Sequence, residues 1–232
     1  MSMSDIRLHF EEAGSGKPLF LLHGNGESHE IFSEQVKYFS KQCRVIAVDT
    51  RGHGASPRGS APFCLSQFAE DLKELFDFLK IEKADVLGFS DGGNIALMFA
   101  LEYPELIDRL ILNGANIKPG GIRAKYLIPI MLAYLGSLFG KNIRKRELLA
   151  LMVHEPHIKR TKLRSIKADT LIIAGKDDMI SGRHTREIAA AIPKSSLTFI
   201  DGDHFIAQKN PDTFNSAVEN FFGQTDHRDE KQ

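Results

Sequence analysis

Ser90 sits in the pentapeptide Gly88-Phe89-Ser90-Asp91-Gly92, a G-x-S-x-G pattern, with an apolar run before it (Val86, Leu87, Phe89) and helical spacing from Asn94 to Leu101 behind it. Strand, sharp turn and helix is the setting in which this pattern presents a serine hydroxyl as a nucleophile. The turn forces strained backbone angles on Ser90, and Gly88, Gly92 and Gly93 remove the Cβ atoms that would clash there. A serine hydroxyl is a poor nucleophile at neutral pH and needs a base, which a neutral imidazole supplies. A carboxylate then fixes the imidazole tautomer and stabilises the imidazolium that forms. Two later segments offer those partners, Gly175-Lys176-Asp177-Asp178 and Asp201-Gly202-Asp203-His204-Phe205. On residue types alone the base is His204 and the acid is Asp177 or Asp178.

The elements that must position these groups follow from periodicity. Apolar runs predict strands over 19–22, 43–48, 109–113, 168–174 and 197–200, besides the run before Ser90, and alternation predicts an edge strand over 3–10 with a Gly-rich turn at 11–17. Helices are expected over 31–39, 65–79, 94–101, 185–192 and 211–222; that over 65–79 places Phe68, Leu72, Leu75, Phe76 and Leu79 on one face. Alternating strands and helices imply an α/β fold, a mostly parallel sheet covered on both faces. Functional groups of such sheets gather beyond the carboxyl ends of the strands. Ser90, the Asp177-Asp178 pair and His204 each fall just after a predicted strand.

Composition narrows the class. The chain of 232 residues is 42% hydrophobic and 26% charged, which fits one globular domain. Its formal net charge of zero provides no pull toward nucleic acid. Two cysteines, Cys43 and Cys64, make no disulfide framework, the N-terminus carries no apolar leader, and no apolar run reaches the roughly 18 residues a membrane span needs. A cytoplasmic location is therefore expected. Gly14-Ser15-Gly16-Lys17 lacks the Ser or Thr of a phosphate loop, since Pro18 stands there, and His154-Glu155-Pro156-His157 lacks metal-ligand spacing on a helix. Neither a cofactor nor a metal is expected.

His23-Gly24-Asn25-Gly26, Asp49-x-Arg51-Gly52-His53-Gly54-x-Ser56, the Ser90 pentapeptide and Gly175-x-x-Asp178, with the order Ser, Asp, His, together resemble the α/β-hydrolase-fold serine hydrolases. The resemblance covers residues 1–115 and 168–223 as the hydrolase core. It implies Ser90 as nucleophile, His204 as base, and Asp178 rather than Asp177 as the acid, three residues after the glycine. It also implies an oxyanion hole from the backbone N–H groups of Asn25 and Asp91. His23, His53 and Arg51 are expected to support loops. The implied reaction is hydrolysis of a carboxylic ester on a small molecule through an acyl-enzyme. A thioesterase, a C–C bond hydrolase, an aminopeptidase or a non-catalytic receptor on the same fold are the alternatives.

Residues 116–167 interrupt the strand–helix alternation and are expected to form a small helical cap. They hold twelve Lys and Arg against two Glu, so the rest of the neutral chain carries a matching negative excess. The apolar stretch 127–139 is expected to be a lid helix packed over the pocket; an acyl-binding roof, weak contact with a lipid surface, or homodimerisation are the other readings, and the chain is expected to be a monomer or a homodimer. Residues 224–232 are charged and expected to be disordered. Ser90-Asp91-Gly92-Gly93, with the later Asn113-Gly114-Ala115-Asn116, resembles the branch containing valacyclovirase-type amino-acid-ester hydrolases. A carboxylate beside the scissile carbonyl has two readings, binding a substrate ammonium or only hydrogen-bonding local backbone.

Overall fold

Strands form where the apolar runs lie. In the computed structural model, which describes residues 5–229, β1 spans Phe10–Ala13, β2 Lys17–Leu22, β3 Cys43–Val48, β4 Ala84–Phe89, β5 Ile107–Asn113, β6 Asp169–Gly175 and β7 Ser195–Ile200. They make one sheet in the order β1-β3-β2-β4-β5-β6-β7, parallel except for the antiparallel β1–β3 pair. The helices are α1 Ser33–Phe39, α2 Leu65–Leu79, α3 Asp91–Glu102, α4 Ala124–Ser137, α5 Ile143–His154, α6 Gly182–Ala189, α7 Ile206–Lys209 and α8 Pro211–Asp229.

Side chains alternate across the sheet, and both faces are buried. Phe20, Leu22, Ile46, Val86, Leu110 and Leu112 pack with Phe68, Leu72 and Phe76 of α2 and Ile95 and Phe99 of α3. Leu19, Leu21, Val45, Leu87, Ile111 and Ile173 face the other way, against Phe39 of α1 and Phe214, Val218 and Phe221 of α8. The strand alternation and the single apolar face of each helix therefore close two cores on one sheet.

Four expectations need correction. The first strand is Phe10–Ala13 rather than 3–10, because its partner is β3 and the preceding Asp5 instead turns to accept from Arg51 and Ser60; Met1 to Ser4 lie outside the described residues. Helix α6 starts earlier than 185 because Ser181 caps it, its hydroxyl accepting from the His184 N–H at 3.2 Å. The expected disorder from 224 is not found as far as 229: α8 runs on to Asp229. Buried Arg109 holds that extension by donating to the Phe222 carbonyl and to Thr225 Oγ1, with its guanidinium over the Phe222 ring; residues 230–232 lie outside the described residues.

The fourth concerns the insertion at 116–167, which folds as α4 and α5 packed on each other and flanked by short 3-10 turns. α5 is tied to the core: Glu147 accepts from Arg58, the Leu148 carbonyl accepts from Asn25 Nδ2, and Glu155 accepts from Leu65 N–H at the start of α2. α4 contains no buried residue, so the lid helix expected over 127–139 packs only by one half-buried face.

Candidate active site

The tight turn after β4 is made possible by residues without side chains. A Cβ on Gly92 would stand 2.0 Å from the Leu22 carbonyl oxygen, and one on Gly88 would stand 2.3 Å from the Gly92 oxygen. Between them Ser90 is held at φ 54°, ψ −119°, a conformation that costs of the order of 1–3 kcal/mol for a residue with a side chain. The Ser90 N–H donates to the Asn113 carbonyl at 2.8 Å, which secures the elbow to the end of β5.

His204 follows β7 and meets Ser90 through Nε2, 2.9 Å from Oγ. Its Nδ1 lies 2.7 Å from Asp178 Oδ1, in the loop after β6. Asp178 Oδ1 also accepts from the Ile180 N–H, and both Asp178 and His204 are buried. Asp177 is exposed, and its N–H goes to the Gly202 carbonyl, so Asp178 alone of the pair reaches the imidazole. Phe89 and Phe205 pack on the His204 ring, and Gly114, at φ +63°, leaves room for it, since a Cβ there would come 2.7 Å from its Cε1. With Nδ1–H donated to Asp178, the free Nε2 lone pair is placed to take the Ser90 proton.

The two segments expected to supply N–H groups, the start of α3 and the turn after β2, both adjoin Ser90. Asp91 is the first residue of α3, where helix N–H groups have no partner within the helix and the dipole is positive. Gly24, just before Asn25, passes so close that a Cβ on it would be 3.1 Å from Ser90 Cβ. Asn25 Nδ2 donates to Asp91 Oδ2 at 2.8 Å and to the Leu148 carbonyl at 3.0 Å; Asn94 Nδ2 donates to Asp91 Oδ1 at 3.2 Å. The Asp91 carboxylate thus joins the start of α3 to the loop after β2 at the mouth of the site, and Asn25 in turn joins that loop to α5.

Three carboxyls border that mouth with pKa values above the ordinary range. Desolvation is the main cause for Asp91, Glu27 and Glu155; Glu155 raises Asp91 further, and Asp91 raises Glu27. Glu27 Oε2 accepts from the Gly24 N–H at 3.0 Å, directly behind Ser90. The sequence motifs single out neither Glu27 nor Glu155 as a site residue. Glu27 carried one usable signal, its position three residues after Gly24 in a turn; Glu155 carried none, being ninety positions from the helix start it caps.

The remaining motif residues hold loops. Arg51 is fully buried and bidentate to Asp71, with both N–O distances 2.7 Å, and also donates to Asp5 and the Arg58 carbonyl. His23 Nε2 accepts from the Thr50 N–H at 3.0 Å, which puts its proton on Nδ1, donated to the Gly24 carbonyl at 2.7 Å. Burial, and then the neighbouring His53, draw the His23 pKa down to about 4. An unfolded imidazole titrates near 6.5, so the unfolded chain takes up this proton first. His23 therefore contributes stability in full above about pH 6.5 and loses it progressively down to about pH 4, in all about 3 kcal/mol. In an NMR titration the His23 Cε1–H resonance should shift with its midpoint near pH 4; a midpoint near 6.5 would refute the assignment.

Among the described residues, the one group that could hold a metal is His9, His29 and Asp49, whose ligating atoms lie within 4.8 Å of one another. The Asp49 carboxylate already accepts from both imidazoles and from the His29 and Ala55 N–H groups, and the group shares no residue with the Ser90 site. His154 stacks edge-on with Tyr134 while Glu155 turns to α2, so that segment gathers no ligand set.

A family model described as the alpha/beta hydrolase fold matches residues 17–148. The human serine hydrolase BPHL is 29% identical over 95% of this chain and 84% of its own length. A putative carbamate hydrolase RutD from Azorhizobium caulinodans is 27% identical over 96% of this chain and 97% of its own. Among solved structures, the enol-lactonase from Burkholderia xenovorans LB400 superposes with a TM-score of 0.78 at 24% identity, covering 94% of this chain and 97% of that one.

Proposed function

The chain belongs to the α/β-hydrolase fold family, and on that premise we propose that it cleaves a carboxylic ester of a small molecule with Ser90, His204 and Asp178 as its catalytic triad. The observation that carries this reading is the continuous chain of hydrogen bonds from Ser90 Oγ through His204 to Asp178, set on a strained elbow. His204 Nε2 takes the Ser90 proton as Oγ attacks the carbonyl carbon. The oxyanion is held by the N–H groups of Asn25 and Asp91, each such donor contributing about 10²–10³ in rate. Collapse of the tetrahedral intermediate breaks the C–O bond, and the alcohol leaves with the proton from His204. A water deprotonated by His204 then attacks the acyl-enzyme, releases the acid and restores Ser90. The insertion, joined to Asn25 through the Leu148 carbonyl, serves as the cap of this site.

Thioesters, lactones, carbamates and C–C bonds yield to the same apparatus, and the relatives include a putative carbamate hydrolase and an enol-lactonase. The carboxyls at the mouth favour one substrate class within the ester reading. Asp91 accepts one amide hydrogen bond on each oxygen and keeps further lone pairs. Desolvation disfavours the charged forms of Asp91, Glu27 and Glu155, so each would be relieved by a cation brought beside it, which suits an aminoacyl ester whose ammonium faces Asp91. Asp91→Ala should lower kcat/KM on aminoacyl esters about 10–100-fold more than on simple acyl esters, the increment of a charged hydrogen bond. A panel of acyl, aminoacyl, thio- and lactone esters and a carbamate decides both points. Equal losses on acyl and aminoacyl esters would sink the ammonium role, and turnover confined to carbamates or lactones would sink the acyclic-ester reading.

A further inference from the structure

A helix on a protein surface ordinarily turns its apolar stripe inward. α4 does the reverse. Ile128, Met131, Leu132 and Leu135, at i, i+3, i+4 and i+7, all face solvent, and Leu138 and Phe139 continue the stripe beyond the helix end. Leu132 is 64% exposed and Phe139 93%, while the opposite face, with Tyr126, Ile130 and Tyr134, is the half-buried one. Ile143, at the start of α5, is 60% exposed and lengthens the same apolar edge.

Cations bracket the stripe. Lys125 stands before it, and Lys141, Arg144 and Lys145 stand just after it, all exposed. From Arg109 to Arg146 the chain has no Asp or Glu at all. Two copies meeting through this hairpin would bring like charges together, which opposes a dimer there. An anionic bilayer supplies both complements, acyl chains for the stripe and headgroup phosphates for the cations. No helix among the described residues is long and apolar enough to cross a membrane, so the fitting geometry is one lying in the interface.

We propose that the α4–α5 hairpin docks on an anionic lipid surface, with the stripe from Ile128 to Phe139 in the acyl boundary and Lys125, Lys141, Arg144 and Lys145 among the headgroups. α5 is fastened beside the site through the Leu148 carbonyl on Asn25, so docking holds the site close to the bilayer surface. Exposure and charge alone direct this docking, whichever bond the enzyme cleaves.

The chain contains no tryptophan, so Leu135→Trp installs a single reporter inside the stripe. Its emission should shift to the blue on adding vesicles of phosphatidylcholine with about one quarter phosphatidylglycerol, and not with phosphatidylcholine alone. Co-sedimentation with the mixed vesicles should exceed that with the neutral ones about tenfold at low salt and fall to the neutral level in about 0.5 M NaCl. Leu132→Glu with Phe139→Glu, and separately Lys141→Glu with Arg144→Glu and Lys145→Glu, should each abolish co-sedimentation while circular dichroism and fluorophosphonate labelling of Ser90 stay unchanged. Absence of vesicle binding, equal binding to neutral vesicles, or a blue shift that follows protein concentration without lipid would overturn the proposal, the last in favour of a second copy.

Discussion

Ser90→Ala should lower kcat on any substrate the enzyme hydrolyses by about 10⁴-fold or more, with KM nearly unchanged. The substitution removes only Oγ. The Ser90 N–H bond to the Asn113 carbonyl, the glycines around the elbow and the His204–Asp178 pair all remain, so the fold around the elbow is retained. Covalent labelling by a fluorophosphonate should vanish in the same variant. His204→Ala should lose about as much, and the double variant should be little worse than either, because groups that act as one unit do not lose rate additively. Retained turnover in Ser90→Ala, or multiplicative losses in the double variant, would show that the acyl-enzyme route through this triad is wrong.

Asp71→Ala carries the largest expected loss of stability, about 3–5 kcal/mol by urea denaturation. Arg51 is fully buried, and Asp71 accepts both of its short bonds as well as one from Gln67 Nε2. Truncation leaves the guanidinium in the interior, held among its partners by the partly exposed Asp5. The urea midpoint should fall while the slope stays constant, since the surface exposed on unfolding is hardly changed. Replacing Arg51 and Asp71 together by leucine should recover part of the loss, because the desolvated charge is then gone. A cost under about 1 kcal/mol would place this pair with ordinary surface ion pairs.

The same loop shows why these two effects separate. Arg51 and Asp49 sit in one motif, yet neither touches the reacting serine. Arg51 fastens the N-terminal segment and α2, while Asp49 gathers His9, His29 and the Ala55 N–H, at a point where Gly54 has no room for a Cβ. Changes there should act on stability first and on kcat only through the positions of Gly24 and Asn25.

Much of this protein is written locally in its residues. The strand over 43–48 and the helix over 65–79 have the bounds that their periodicities predict, because a period of 2 or 3.6 needs only neighbours to express it. The segments bearing Ser90, Asp178 and His204 are legible for a similar reason: a serine flanked by glycines, and polar loops directly after apolar strands, mark the carboxyl edge of a parallel sheet. Other features depend on partners distant in sequence. β1 begins at Phe10 because β3 lies opposite, and α8 continues past Phe222 because Arg109 reaches it from β5. Glu155 joins the site only once α5 returns to cap α2, and Glu27 only once Gly24 folds against Ser90. The apolar stretch at 127–139 is the clearest case. Hydropathy marks it as a surface to be covered, but which face is covered is decided by how α4 packs on α5, and in the folded chain the stripe is left exposed. Local pattern carries the chemistry of the chain; long-range contacts decide its surroundings, because charge, desolvation and exposure belong to groups brought together by folding rather than to any residue alone.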